Sequence, residues 1–392
     1  MYVLNNRDII CISSVDWEPI WTRKQQIMSR LPRSNRILYV EPPISCLSRF
    51  KDPSVAFKHD RAREGVRKLN DNTWLLSPPV ILPFGSRYPG FNKINQHLIA
   101  GSIKKAIGQL GFDKPIVWTY LHTSCDLVDE LDRSLTVYDC VDEHSAYDGF
   151  NSELVKKMEK KLLAKCDMAF CTAQGLYDDR KNFVKEIHFS PNAADVEHFM
   201  KASDPQLTVA DELVALEGPV FGFVGFVKEW VDLDLIASVA KAYPQGHVVL
   251  VGPIGAGIDM SALKAIPNIM ILGHRDRAEL PRYIKAFSVC LNVFKLNELT
   301  STVSPLKFYE YLASGVPIAS VPMPEISGFS DVVEFGGGTT GFLAAVARAL
   351  DDNAGKRAAR LKRAAENSWQ SRADFMAEKI SARLKDKGLK GR

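Results

Sequence analysis

The run Ser304-Pro305-Leu306-Lys307-Phe308-Tyr309-Glu310 brings a hydroxyl, a cation and a carboxylate together within seven residues. Ser304 is a favourable helix N-cap, and Pro305 suits the first helical position. Gly315 and Pro317 end that helix, and residues 318–321 read as a short buried strand. A helix that starts above an α/β sheet presents free amides and the positive end of its dipole, a setting for phosphate. Thr302, Val303 and Ser304 stand at that opening. Glu310 lies about two turns in, on the same side as Lys307. From there its carboxylate would accept hydrogen bonds from a ribose. The alternative is an ordinary helix whose Lys and Glu are simply solvated.

Other polar residues fall just after expected strands. Asp16, Trp17 and Arg23 follow the first: a carboxylate for sugar hydroxyls, an aromatic face for a ring and a cation nearby. A Trp packed into the core is the competing reading. Asp142 leads the cluster Asp142-Glu143-His144 after a later strand, and His122 ends the strand before it. A lone histidine is more often structural, so Asp142 is the preferred contact to a transferred sugar or an acceptor hydroxyl. Gly225 closes the strand that opens the second half, where a glycine lets backbone approach a ligand, and Lys228 follows it. Gly252-Pro253-Ile254-Gly255-Ala256-Gly257 has the spacing G-x-x-G-x-G, which is not a dinucleotide fingerprint; Gly252 would allow close approach to a nucleotide. Asp232-x-Asp234 leads directly into a helix, so Asp234 is expected as a cap or first-turn acid, not a metal ligand. No Cys/His cluster has zinc spacing.

These residues need a large scaffold, and 392 residues allow two domains of ordinary size. Apolar residues make up 46% and charged residues 24% of the chain. No apolar run reaches the roughly 20 residues that span a bilayer. The first residues lack a signal-peptide pattern, so a cytoplasmic location is expected. The seven cysteines are scattered and read as free thiols. Net charge is +4 but uneven: residues 356–392 hold 12 Lys/Arg against 4 Asp/Glu, a net of +8, and the rest sums to −4. Such an end suits an anionic surface, the inner leaflet of a membrane above all. A solvated helical tail is the plain alternative. No nucleic-acid recognition motif is present.

Apolar strand-like runs alternate with helical patterns, the rhythm of mainly parallel sheets. In the first half the expected strands are 9–13, 37–40, 74–77, 116–120, 136–139, 168–171 and 186–189, with helices at 21–31, 101–109 and 152–164. In the second half they are 220–224, 247–251, 269–272, 289–294 and 318–321, with helices at 234–242, 280–286, 305–313 and 341–350. The expected domains are 1–200 and 219–366, joined by a polar linker at 201–218. Trp369, Ala373, Met376, Ile380 and Leu384 recur at helical spacing and define a C-terminal segment, 367–392.

The window around Glu310 resembles the nucleotide-sugar site of GT-B glycosyltransferases, particularly the retaining family 4. Glu310, Gly315 and Pro317 match the second half of that family's pattern. The family's first glutamate falls on Thr302, and Glu298 stands four residues earlier. The Ser-Pro-x-Lys preceding Glu310, together with the region 13–25, is similar to the teichuronic acid biosynthesis type. Pro191-Asn192-Ala193-Ala194-Asp195 resembles the signature that ends the first domain, and 272–283 resembles the stretch after the third strand of the nucleotide domain, where His274 and Arg275 would meet the base.

The resemblance implies a GT-B fold: two Rossmann-like βαβ domains facing across a cleft, with the C-terminal helix crossing back to the N-terminal domain. It implies a donor, a nucleotide diphosphate sugar, held in the second domain by Gly225, Lys228, Gly252, His274, Arg275, Thr302, Val303, Ser304 and Glu310. The acceptor, a saccharide or lipid-linked saccharide, would meet Asp16, Trp17, Arg23, His122 and Asp142. Asp142, Lys307 and Glu310 are the expected catalytic groups. Lys228 and Lys307 are candidates for the Arg/Lys pair that holds diphosphate in relatives and is missing here. No cofactor and no essential metal are expected. Transfer with retention, in surface polysaccharide or glycolipid synthesis, is the implied reaction. A nucleotide-sugar epimerase of the same fold, and a catalytically silent carbohydrate- or nucleotide-binding protein, are the alternatives; a nicotinamide dehydrogenase is a distant third.

Overall fold

Short apolar runs without polar alternation must be buried on both faces, and a parallel sheet covered by helices achieves this. The computed structural model describes residues 4–19, 21–48, 57–85, 87–147, 150–298 and 300–389. It divides into two compact units: Met1–Pro191 with Arg372–Arg392, and Asn192–Ser371.

The first unit is built on eight strands: β1 (Asp8–Ile12), β2 (Arg36–Val40), β3 (Val66–Lys68), β4 (Thr73–Leu76), β5 (Ile116–Thr119), β6 (Leu135–Cys140), β7 (Met168–Cys171) and β8 (Ile187–Phe189). Their order is β3-β4-β2-β1-β5-β6-β7-β8. Every pair is parallel except β3 with β4. β1 lies between β2 and β5, in register Ile9 with Ile37 and with Ile116. The order reverses there, so the loops leaving β1 and β5 diverge and open a crevice at their carboxyl ends.

The second unit has six parallel strands: β9 (Val220–Val224), β10 (His247–Val251), β11 (Ile269–Gly273), β12 (Val289–Asn292), β13 (Ile318–Ser320) and β14 (Glu334–Phe335). Their order is β11-β10-β9-β12-β13-β14. The corresponding reversal falls between β9 and β12. Each unit encloses its own apolar core.

Several boundaries differ from expectation for identifiable reasons. The helix expected at 101–109 runs from Pro89 to Leu110, because its first half buries Asn92, Asn95 and Gln96 and shows no apolar core stripe. β3 and β14 are too short to produce a period-2 signal. The 201–218 segment is not a free linker: Ala202, Ala210 and Leu213 sit in the core of the second unit, and the Ser203 hydroxyl donates to Ser314 O. The chain changes units at 191/192 and at 371/372 instead.

The helix Trp369–Asp386 carries the chain back into the first unit. Phe375 packs edge-on to Phe170, and Arg7 donates to Leu389 O. Five of the twelve cations of the basic end meet acids inside their own units. Lys356 meets Glu334, Arg360 meets Asp352 and Arg363 meets Asp331. Arg383 faces Glu186 and Lys387 faces Asp167. These five cations of the basic end are therefore engaged by acids of the folded units.

Candidate functional site

In the second unit, the loops after β9 and β12 flank the reversal in strand order. The helix Leu306–Ser314 is fixed there by Tyr311, whose hydroxyl accepts from Val224 N at 2.7 Å. Gly315, left-handed at φ 75°, ends the helix. Ser304 is not its cap: Pro305 takes that position, and no side chain caps the first turn. The buried Ser304 instead holds Asn192, accepting its N–H at 3.0 Å on the hydroxyl and its Nδ2 at 2.8 Å on the carbonyl. Uncapped first-turn amides keep the positive helix end available to an anion.

Glu310 is buried, 7% exposed, and its Oε2 accepts from Lys307 Nζ at 2.6 Å. The Lys307 stem passes Gly225 so closely that a Cβ there would lie 3.7 Å from Lys307 Cγ. Gly225, Lys307 and Glu310 are thus gathered at one point. Lys228, half-buried, lies over the rings of Phe226 and Trp230, at 4.7 and 5.0 Å from their centroids.

Other donor candidates have internal tasks. Gly252 adopts φ 145°, and a Cβ on it would fall 1.9 Å from Gly225 O. The close approach it permits is to its own neighbouring loop. The Arg275 guanidinium bonds Glu212, Tyr283 and the Leu272 carbonyl, while His274 is exposed. Thr302 and Val303 are half-buried at the helix entrance. Glu298, the stand-in for a first glutamate, is exposed. Asp234 lies in the first turn of its helix, and Asp232 caps it by accepting from Leu235 N at 3.1 Å.

In the first unit, the crevice beside β1 holds two polar clusters. Asp16 lines a narrow pocket with Glu41, Lys58 and Arg61, and pairs with Lys58 at 2.5 Å. Trp17, by contrast, is a core residue: its buried ring packs edge-on to Trp21 and Tyr39 at 5.6 and 5.0 Å. Arg23 is likewise committed to internal partners. It is 3% exposed and grips both Asp139 oxygens at 2.9 and 3.1 Å, with Ser190 Oγ and Pro191 O as further partners.

The second cluster follows β5 and β6. His122 is buried, and neither ring nitrogen has a partner. Its ring lies 5.3 Å from that of His144, whose Nδ1 is also unpartnered. Burial depresses both imidazoles, His144 to about 3 with help from His122 and Lys24. Both rings are neutral at pH 7. Asp142 is raised by burial, which the attraction of Lys24 opposes. Burial lowers Lys24 in turn, against the pull of Asp142 and Asp139. Burial also pushes Glu143 up, but Arg180 and Ser145 outweigh it and hold the carboxyl low. Glu143 is therefore a structural ion pair.

Buried polar groups normally find partners, and these imidazole nitrogens have none within the protein. Lys24 and His144 join His122 and Asp142 here. Lys24 was hidden in Arg23-Lys24-Gln25-Gln26, four consecutive polar residues that all turn out buried. That run of long polar side chains between two apolar strands was the available signal. Among the described residues no group of three or more His, Cys, Asp or Glu is placed to hold a metal ion.

No family model matches the sequence. Over 205 residues the chain is 27% identical to TuaH of Bacillus subtilis, which carries the name teichuronic acid biosynthesis glycosyltransferase. The match covers 49% of this chain and 51% of that protein, so it spans about half the length of its curated relative. Solved structures match nearly end to end. Sucrose-phosphate synthase from Thermosynechococcus elongatus is 13% identical, with 97% of this chain and 100% of that one covered at a TM-score of 0.68. HepE from Anabaena in complex with UDP and glucose is 13% identical, with 95% and 99% covered at 0.63. A UDP-forming trehalose-phosphate synthase from Burkholderia vietnamiensis is 11% identical, with 95% and 96% covered at 0.66. With its two parallel-sheet units and these structural neighbours, the chain has the GT-B glycosyltransferase fold.

Proposed function

We propose that this protein is a glycosyltransferase that moves a sugar from a nucleotide diphosphate sugar to a saccharide acceptor. The convergence of Gly225, Lys307 and the buried Glu310 at the strand reversal of the second unit carries the reading. The diphosphate docks at the uncapped start of the helix Leu306–Ser314, where amides and dipole favour it. Lys307 supplies the local positive charge that a departing phosphate requires. Glu310 accepts hydrogen bonds from the ribose. A neighbour solved with UDP and glucose supports a nucleotide-sugar donor.

The acceptor belongs to the first unit, at Asp142 and the neutral pair His122 and His144. Neutral imidazoles can donate and accept hydrogen bonds with sugar hydroxyls without placing an unpaired charge in a buried setting. Transfer proceeds with retention, the leaving phosphate taking the acceptor proton on the same face, and no metal is needed. The acceptor is lipid-linked and the product enters surface polysaccharide or glycolipid, a reading supported by the likeness to TuaH.

A thermal-shift screen of the purified protein against UDP-, GDP-, ADP- and dTDP-sugars tests the donor assignment. One nucleotide class should raise the melting temperature, and Glu310→Ala should abolish that rise. A screen in which no donor stabilises the protein refutes the transferase reading.

A further inference from the structure

The helix Pro89–Leu110 is inverted in its first half. Asn92, Asn95 and Gln96 are buried, at 2, 1 and 6% exposure, while Tyr88, Phe91, Ile94 and Leu98 are 41–55% exposed. Burial of apolar surface is the main driving force of folding, so an apolar face turned outward while amides turn inward needs a cause. The buried amides are well used. Asn95 exchanges hydrogen bonds with the Leu82 backbone at 2.9 Å in both directions. Asn92 donates to Thr123 O at 3.0 Å. These bonds hold the helix with its apolar residues outward, at the i, i+3, i+7 spacing of one face. Leu82 and Phe84, exposed in the preceding loop, extend the patch. Contiguous apolar patches of this kind mark contact with a partner or a membrane.

The charge around the patch selects the occupant. From residue 72 to residue 112 there is no Asp or Glu, while Arg87, Lys93, Lys104 and Lys105 are all present. Glu130, on a neighbouring turn, accounts for His97 and Lys104. Arg87, Lys93 and Lys105 are exposed and have no ion-pair partner among the described residues. Two copies of this face would bring like charges together. An anionic bilayer would attract them, and an amphipathic helix with cations beside its apolar face is the form that lies in a membrane interface.

We propose that the first half of the helix Pro89–Leu110, with Leu82 and Phe84, docks this protein onto an anionic phospholipid bilayer. Phe91, Ile94 and Leu98 enter the headgroup boundary, and Arg87 and Lys93 face the lipid phosphates. The docked surface adjoins the acceptor cluster. Asn92 is bonded to the turn that begins at His122, and Phe150, which lines an open pocket with Arg87 and Tyr88, packs edge-on to His122 at 6.4 Å. A lipid-anchored acceptor would therefore present its head near His122. This last step rests on the proposed transferase function; the docking itself does not.

Flotation of the full chain with vesicles, without donor or acceptor, separates the two. Wild type should float with phosphatidylcholine vesicles containing phosphatidylglycerol, bind pure phosphatidylcholine far more weakly, and lose binding in high salt. The triple variant Phe91→Ser, Ile94→Ser, Leu98→Ser should lose about tenfold or more in partitioning, and the pair Arg87→Glu, Lys93→Glu should lose the preference for anionic lipid. Circular dichroism and donor-induced stabilisation of the variants, equal to wild type, exclude misfolding. Wild-type binding that the triple variant retains overturns the proposal. So does a dimer, found by light scattering, that the triple variant dissolves. Failure to bind vesicles with donor binding intact removes the docking surface and leaves the transferase reading standing.

Discussion

Glu310→Gln separates the structural part of the Lys307–Glu310 pair from its chemical part. The substitution keeps side-chain volume and removes the charge. Lys307 and Glu310 are three residues apart on one helix, and their side chains are 31% and 10% exposed. A pair of this spacing and partial exposure contributes about 0.3–1 kcal/mol to stability. In a unit of 180 residues, that corresponds to a fall of about 1–4 °C in melting temperature. Donor binding should suffer far more. Hydrogen bonds to a charged group are worth about 1.5–3 kcal/mol, and at 1.4 kcal/mol per decade the donor dissociation constant should rise about 10- to 150-fold. Isothermal titration calorimetry with the stabilising nucleotide sugar measures the affinity, and a thermal scan without ligand measures stability. An unchanged affinity beside a lowered melting temperature would show that Glu310 only supports the helix, and the donor assignment would fail.

Arg23→Met should strand the fully buried Asp139 carboxylate and destabilise the first unit by about 3–5 kcal/mol; denaturant unfolding reads this, and a loss below about 1 kcal/mol would contradict the ion-pair role. Gly252→Ala should cost the second unit about 2 kcal/mol or more, from its φ of 145° and the contact with Gly225 O; an altered donor affinity at unchanged melting temperature would instead restore a direct ligand contact. His144 has a folded pKa below its unfolded value, so the unfolded state binds the extra proton. Stability is retained above about pH 6.5 and falls by about 1.4 kcal/mol per pH unit as acid is added toward its folded pKa of about 3. His144→Asn should flatten the acid limb of a denaturant-midpoint profile by that one proton, and a profile parallel to wild type would refute the depressed imidazole.

The sheets were legible because their strands are buried on both faces and stand out as apolar runs: Val220–Val224 and His247–Val251 coincide with the expected spans. The helix carrying Glu310 was legible from Gly315 and Pro317. Its start was misread by one residue, because a serine before a proline looks like a cap whether or not its hydroxyl faces the helix. Trp17 and Arg23 were misplaced because residue type says nothing about where a side chain is buried. Arg23 finds its partner Asp139 116 residues away, a separation that local pattern cannot bridge. Lys24 escaped notice for the same reason. Two cations of the basic end, Arg383 and Lys387, find their acids in Glu186 and Asp167, which are too distant in sequence for local pattern to pair them.

Ala194 and Ser368 form a two-residue parallel bridge, with Ala194 N–H donating to Asn367 O and Trp369 N–H to Ala194 O. The first and last stretches of the second unit therefore lie side by side, and across the same break Arg372 donates to Pro191 O at 3.1 Å within the first unit. Topologically, residues 192–371 are a cassette inserted into a host whose cut ends already touch. A short graft from Pro191 to Arg372 should close the host, and the excised cassette should keep its own core. On the proposed donor assignment, exchanging cassettes between relatives would alter which nucleotide is used and leave the host unit unchanged.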